Sequence, residues 1–111
     1  MSGFSDNIES DVNIFSIKNT VKELIPGAEV FLFGSRARGM DQDTSDYDLL
    51  IVVDQSISNT DRMLFQSKVR KRLAAQNILS DVIVQSRSDI EIKKGLTGHI
   101  VRTAFLEGVK L

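Results

Sequence analysis

The sequence contains no cysteine, one proline and one histidine. Without cysteine there is no disulfide, no thiolate nucleophile and no sulfur-ligated zinc, which suits a reducing, cytoplasmic setting. Long hydrophobic runs are also missing. None approaches the roughly 20 apolar residues that a membrane-spanning helix needs. The polar, acidic stretch Met1–Asp11 holds nothing like a secretion signal. Nor is there a basic excess: 14 Lys and Arg stand against 15 Asp and Glu, for a formal charge of -1. A stand-alone nucleic-acid binder draws much of its affinity from phosphate neutralisation, so that role is disfavoured. Phe31, Phe33, Phe65 and Phe105 lie inside apolar segments and read as core, not as stacking platforms for bases. The one local basic cluster, Lys68 with Arg70, Lys71 and Arg72, reads as a solvated helix face.

What remains is the composition of one compact domain. The 111 residues are 41% hydrophobic and 26% charged, enough to bury a core and too apolar for disorder. Residues 1–13 read as a flexible arm and residues 14–111 as the domain. Ile17, Val21, Leu24 and Ile25 recur at helical spacing and stop at Pro26-Gly27. Val30–Phe33 reads as a buried strand. Gly34–Gly39 is a tight connection with the start of a helix, Met40–Ser45 is turn-like, and Asp46–Val53 is a central strand. Asp61–Ala75 is predicted helical, with Leu64 or Phe65, Val69 and Leu73 toward the core. Val82–Val84 makes a third strand, followed by a helical turn capped by Ser88 or Asp89. A last helix from about Gly98 carries Val101, Ala104, Phe105 and Val109 on one face. The order predicts an α/β (α+β) fold, a small mixed β-sheet flanked by α-helices.

Two local patterns carry chemistry. In Gly34-Ser35-Arg36-Ala37-Arg38-Gly39, directly after a strand, Gly34 lets the chain turn without a side-chain clash. Successive backbone N–H groups at such a turn suit phosphate oxygens, and Ser35 adds a hydroxyl. The Gly-Lys-Ser/Thr ending of a Walker A loop is absent. In Ser45-Asp46-Tyr47-Asp48, running into Leu49–Val53, a strand would put Asp46 and Asp48 on one face and Tyr47 on the other. Two carboxylates so close repel unless something positive sits between them, and magnesium or manganese suits such hard oxygen donors. The plainer alternative makes both aspartates turn residues. It explains Asp46 better than Asp48, which leads straight into five apolar residues. Asp81, ahead of Val82-Ile83-Val84, is read equally well as a strand-leading residue or a third ligand.

The ordered set of Gly34-Ser35, Asp46-x-Asp48 and a later strand Asp81 resembles the polymerase-beta-type nucleotidyltransferase superfamily, and within it the minimal nucleotidyltransferase (MNT) family. The resemblance runs from about Phe15 to the C-terminus, whose Gly98–Leu111 is similar to the family's terminal helix. It implies that Asp46, Asp48 and Asp81 are catalytic and hold Mg²⁺ or Mn²⁺. It implies further that Gly34, Ser35 and Arg36 bind the phosphates of ATP or another nucleoside triphosphate. Arg38 would either assist them or brace a nearby acid.

Minimal members are often paired with a small helical HEPN-type protein as an antitoxin–toxin couple, and some transfer AMP to a tyrosine of that partner. The resemblance therefore implies AMP transfer to a hydroxyl of such a partner, with pyrophosphate released. Nucleotidylation of a small molecule by a homo-oligomer is the other enzymatic reading. Neutralisation by binding alone, in a non-catalytic antitoxin, is the non-enzymatic one. His99, with no second histidine or cysteine spaced to share a metal, is expected to be structural or exposed.

Overall fold

The computed structural model describes residues 12–37, 46–93, 95 and 99–111, with Ser35 and Arg36 described by their backbone. Arg38 and the expected turn Met40–Ser45 lie outside the described residues, as does the arm before Val12. The elements are α1 (Val12–Leu24), β1 (Glu29–Phe33), the single helical turn α2 (Gly34–Ala37), β2 (Tyr47–Val53), α3 (Asn59–Ala74), β3 (Ser80–Ser86), α4 (Arg87–Lys93), α5 (Ile100–Glu107) and β4 (Val109–Lys110). The four strands form one mixed sheet in the order β3-β2-β1-β4. β2 is antiparallel to β1 and parallel to β3, and β4 runs antiparallel to β1.

The period-2 alternation of β2 sorts its side chains between two cores. Tyr47, Leu49 and Ile51 join Ile17 and Val21 of α1 and Val69 and Leu73 of α3. Leu50 and Val52 face the other way, against Ile90 of α4 and Val101 and Ala104 of α5. Buried on both faces, the strand reads in sequence as an unbroken apolar run. Asp48 interrupts that run at its leading end, and the alternation puts it on the α5 side with Leu50.

Helix boundaries have visible causes. Ile25 N–H still bonds the Val21 carbonyl at 2.7 Å before Pro26 and Gly27 end α1. The Ser58 hydroxyl caps α3 by accepting from Asp61 N–H at 3.1 Å. Asn77, at φ 63°, takes the left-handed conformation beyond the end of α3. The cap of α4 is Ser86, not the expected Ser88 or Asp89. Its hydroxyl accepts from Asp89 N–H at 3.2 Å, while the Asp89 carboxylate accepts from Ser86 N–H at 3.5 Å. The two residues form a reciprocal box that a search for the cap alone misplaces. Of the core-facing alternatives in α3, Phe65 is packed and Leu64 is half exposed. Val109 does not belong to the last helix. At Gly108 the chain becomes extended, and Val109 pairs with Leu32 as the start of β4.

The end of the sheet away from the start of β2 is closed by charge. Arg87 bridges Glu29 and Asp54, and Lys110 Nζ lies 2.5 Å from Glu29 Oε2, so one cluster ties together all four strand ends. The Lys110 ammonium first, and then the Arg87 guanidinium, hold the Glu29 carboxyl below its ordinary 4.5. A carboxyl lowered on folding stabilises the folded state above its unfolded value and loses that contribution as pH falls through the folded one. The difference in melting temperature between the native protein and Glu29→Gln is therefore expected to be largest above pH 4.5. It should close on further acidification. A pH-independent difference, read by thermal denaturation across pH 3 to 7, would refute a role for this charge cluster in stability.

Candidate active site

The site is assembled at the opposite end of the sheet, where β1 finishes and β2 and β3 begin. Tyr47 anchors the start of β2. It is 3% exposed, and its hydroxyl accepts from Asn13 Nδ2 at 3.2 Å. Its backbone N–H donates to the Leu79 carbonyl at 3.0 Å, which fixes the register between β2 and the start of β3. In that register Asp48 lies directly opposite Asp81. Parallel neighbours stand about 4.8 Å apart and share a face, so the two carboxylates leave the sheet side by side. Asp81 is exposed and Asp48 partly buried.

On its other flank Asp48 pairs with Phe33, the last residue of β1. Gly34 follows, with φ +76°, and its missing side chain is what makes room for Asp48. A Cβ built on Gly34 would overlap Asp48 Oδ2 and lie 3.0 Å from Asp48 Cγ. The turn glycine is thus required twice, for its left-handed backbone and for the carboxylate resting against it. Gly34 also opens α2, so the backbone of Ser35 and Arg36 follows in a helical turn directly from the glycine.

A cavity of about 290 Å³ opens here, bounded by Gly34, Asp48 and Asp81 on the sheet side. Phe33 and Ile83 extend its floor, and Ile100, Thr103 and Glu107 of α5 form the facing wall. These α5 residues were not singled out in the sequence. Their spacing of three and four is a helical stripe, but the helix was read for its apolar core face, which is a different stripe. His99 is structural, as expected: its Nδ1 accepts from Val101 N–H at 3.1 Å and caps α5.

Asp48, Asp81 and Gly34 are therefore brought together. Asp46 stands exposed, one residue ahead of β2. Among the described residues no three His, Cys, Asp or Glu side chains form a ready-made metal cluster. The donor set nonetheless fits a small hard cation. Magnesium commonly takes one or two protein carboxylates and completes its shell with waters and substrate phosphates. Asp48 and Asp81 offer that pair. The basic residues of α3 do not contribute: Lys68, Arg70, Lys71 and Arg72 are exposed, and Arg72 bonds Glu23 at 2.6 Å.

A glycine turn packed against a carboxylate pair, at the mouth of a mixed sheet, sits within a chain that matches a known family. The family described as nucleotidyltransferase domain matches residues 14–111. The chain belongs to that family. Its fold is the polymerase-beta-type nucleotidyltransferase fold, a small mixed sheet flanked by helices. No curated protein matches the chain. No helix among the described residues of this nucleotidyltransferase domain is long and apolar enough to cross a membrane.

Proposed function

We propose that this nucleotidyltransferase domain is a metal-dependent enzyme that transfers AMP from ATP to a hydroxyl of a partner protein. The observation that carries the reading is the in-register pair Asp48 and Asp81, with Gly34 packed beneath the first carboxylate. Asp48 and Asp81, with Asp46 at the rim, would hold Mg²⁺ or Mn²⁺. Such an ion, when bound, supplies Lewis acidity and neutralises charge on the departing pyrophosphate.

The protein's own work is positioning and charge management. The backbone N–H groups of α2, at Gly34, Ser35 and Arg36, suit the β and γ phosphates. Asp81, on the outer side of Asp48, faces the approach of the acceptor and takes its hydroxyl proton. The acceptor oxygen then forms a bond to the α-phosphorus while the bond to the pyrophosphate oxygen breaks. In-line geometry of this kind draws its rate from orientation and preorganised charge.

The acceptor we propose is a small helical HEPN-type protein, the pairing that minimal nucleotidyltransferases resembling this sequence often have. Intact-mass spectrometry of the co-purifying partner, after incubation with ATP and Mg²⁺, tests the assignment. The expected result is a mass gain equal to AMP that disappears with Asp48→Asn. A stable complex without added mass, neutralised equally well by Asp48→Asn, would overturn it in favour of inhibition by binding alone.

A further inference from the structure

Resting on the nucleotidyltransferase reading of the site, we propose that the inner stripe of α5, Ile100–Thr103–Glu107, is the nucleoside-recognition wall. In this assignment Glu107 accepts hydrogen bonds from the ribose hydroxyls. The three side chains share one helix face, at spacings of three and four residues, and all line the cavity that holds Asp48 and Asp81. The lining is chemically divided. Phe33, Ile83 and Ile100 are apolar, Thr103 adds one hydroxyl, and Glu107 is an acceptor-only carboxylate.

Such a wall repels phosphate. Glu107 is the last residue of α5, where the helix dipole is negative, and it opens onto a cavity that already holds two aspartates. The ligand group that belongs there is uncharged and rich in donors, with an apolar face. A ribose carrying its base meets that description: hydroxyls for Glu107 and Thr103, and a flat apolar surface for Ile100 and Ile83. The cavity of about 290 Å³ is also bounded by the sheet on one side and α5 on the other. This cleft, open at Ile100, Glu107 and Asp81, has room for one nucleoside. α5 is pinned for the task by the His99 cap and by buried Val101 and Ala104 on the neighbouring stripe of the helix.

The test is a calorimetric titration of the full chain, in Mg²⁺, with ATP, 2′,3′-dideoxyATP and inorganic tripolyphosphate, for the native protein and Glu107→Gln. The native protein is expected to favour ATP over the dideoxy analogue by about tenfold, the scale of a hydrogen bond to a charged acceptor. Glu107→Gln should narrow that preference by weakening ATP relative to the dideoxy analogue, while tripolyphosphate, freed of the repulsion, binds as well or better. Glu107 is exposed, so the substitution should leave the melting temperature unmoved, which thermal denaturation confirms or denies. An ATP preference undiminished in Glu107→Gln would overturn the proposal, as would a weakened affinity for tripolyphosphate in the variant. Failure of the native protein to bind either ATP or tripolyphosphate would overturn the reading of the site itself, and this proposal with it.

Discussion

Gly34→Ala is expected to lower nucleotidyl transfer by about 100-fold or more, the scale on which a misplacement of roughly 1 Å at a reacting centre acts. The effect is steric and local. The new methyl group would overlap Asp48 Oδ2, so the carboxylate must rotate away from the position in which it faces Asp81. The backbone suffers as well, because a residue with a Cβ at φ +76° costs roughly 1–2 kcal/mol that glycine does not. Two assays separate the effects. Thermal unfolding reads the modest backbone cost, and kcat/KM for AMP transfer reads the displaced carboxylate. Unimpaired transfer by a folded Gly34→Ala protein would mean that the Asp48 carboxylate has no need to stand where it does.

Leu50→Ala carries the second large effect, this one on stability. Leu50 is fully buried on the central strand, on the same face as Asp48, between the sheet and the helices α4 and α5. Truncation there removes buried methyl groups and leaves a cavity bounded by elements that the backbone holds apart. The expected loss is about 3 kcal/mol, within the range for such substitutions. For a domain of this size that lowers the melting temperature by roughly 10 °C or more. Because α5 rests on this core and also walls the cavity, nucleotide affinity should weaken below the melting transition too. A melting temperature within a degree or two of the native value would show that the space between the sheet and α5 collapses freely.

Much of this arrangement was legible beforehand, because local chemistry and global placement agree. The run Leu49–Val53 reads as a central strand, and a turn role explains the aspartate at its head poorly. Gly34 announced a turn by its position after Phe33. What the sequence could not convey was the reason for that glycine: the Asp48 carboxylate that rests against it comes from a strand paired across the sheet. The register of Asp48 with Asp81 was likewise out of reach, since strand pairing is a non-local choice.

The errors have similar origins. Val109 continues a helical pattern of apolar residues, yet Gly108 breaks the helix and β1 offers an open edge, so tertiary pairing overrides the local period. Thr103 and Glu107 were overlooked because polar residues on an amphipathic helix ordinarily mark its solvent face. Only the fold reveals that this stripe overlooks a cavity containing two aspartates.

The central claim is that the Asp48–Asp81 mouth binds a nucleoside triphosphate through a divalent cation. It is tested most directly by titrating ATP into the native protein, Asp46→Asn/Asp48→Asn and Asp81→Asn, each with Mg²⁺ and again with chelator. The native protein is expected to bind only when Mg²⁺ is present, and binding is expected to be lost in the double variant and in Asp81→Asn while all three remain folded. ATP affinity that is indifferent to Mg²⁺ and unchanged by these substitutions would contradict it.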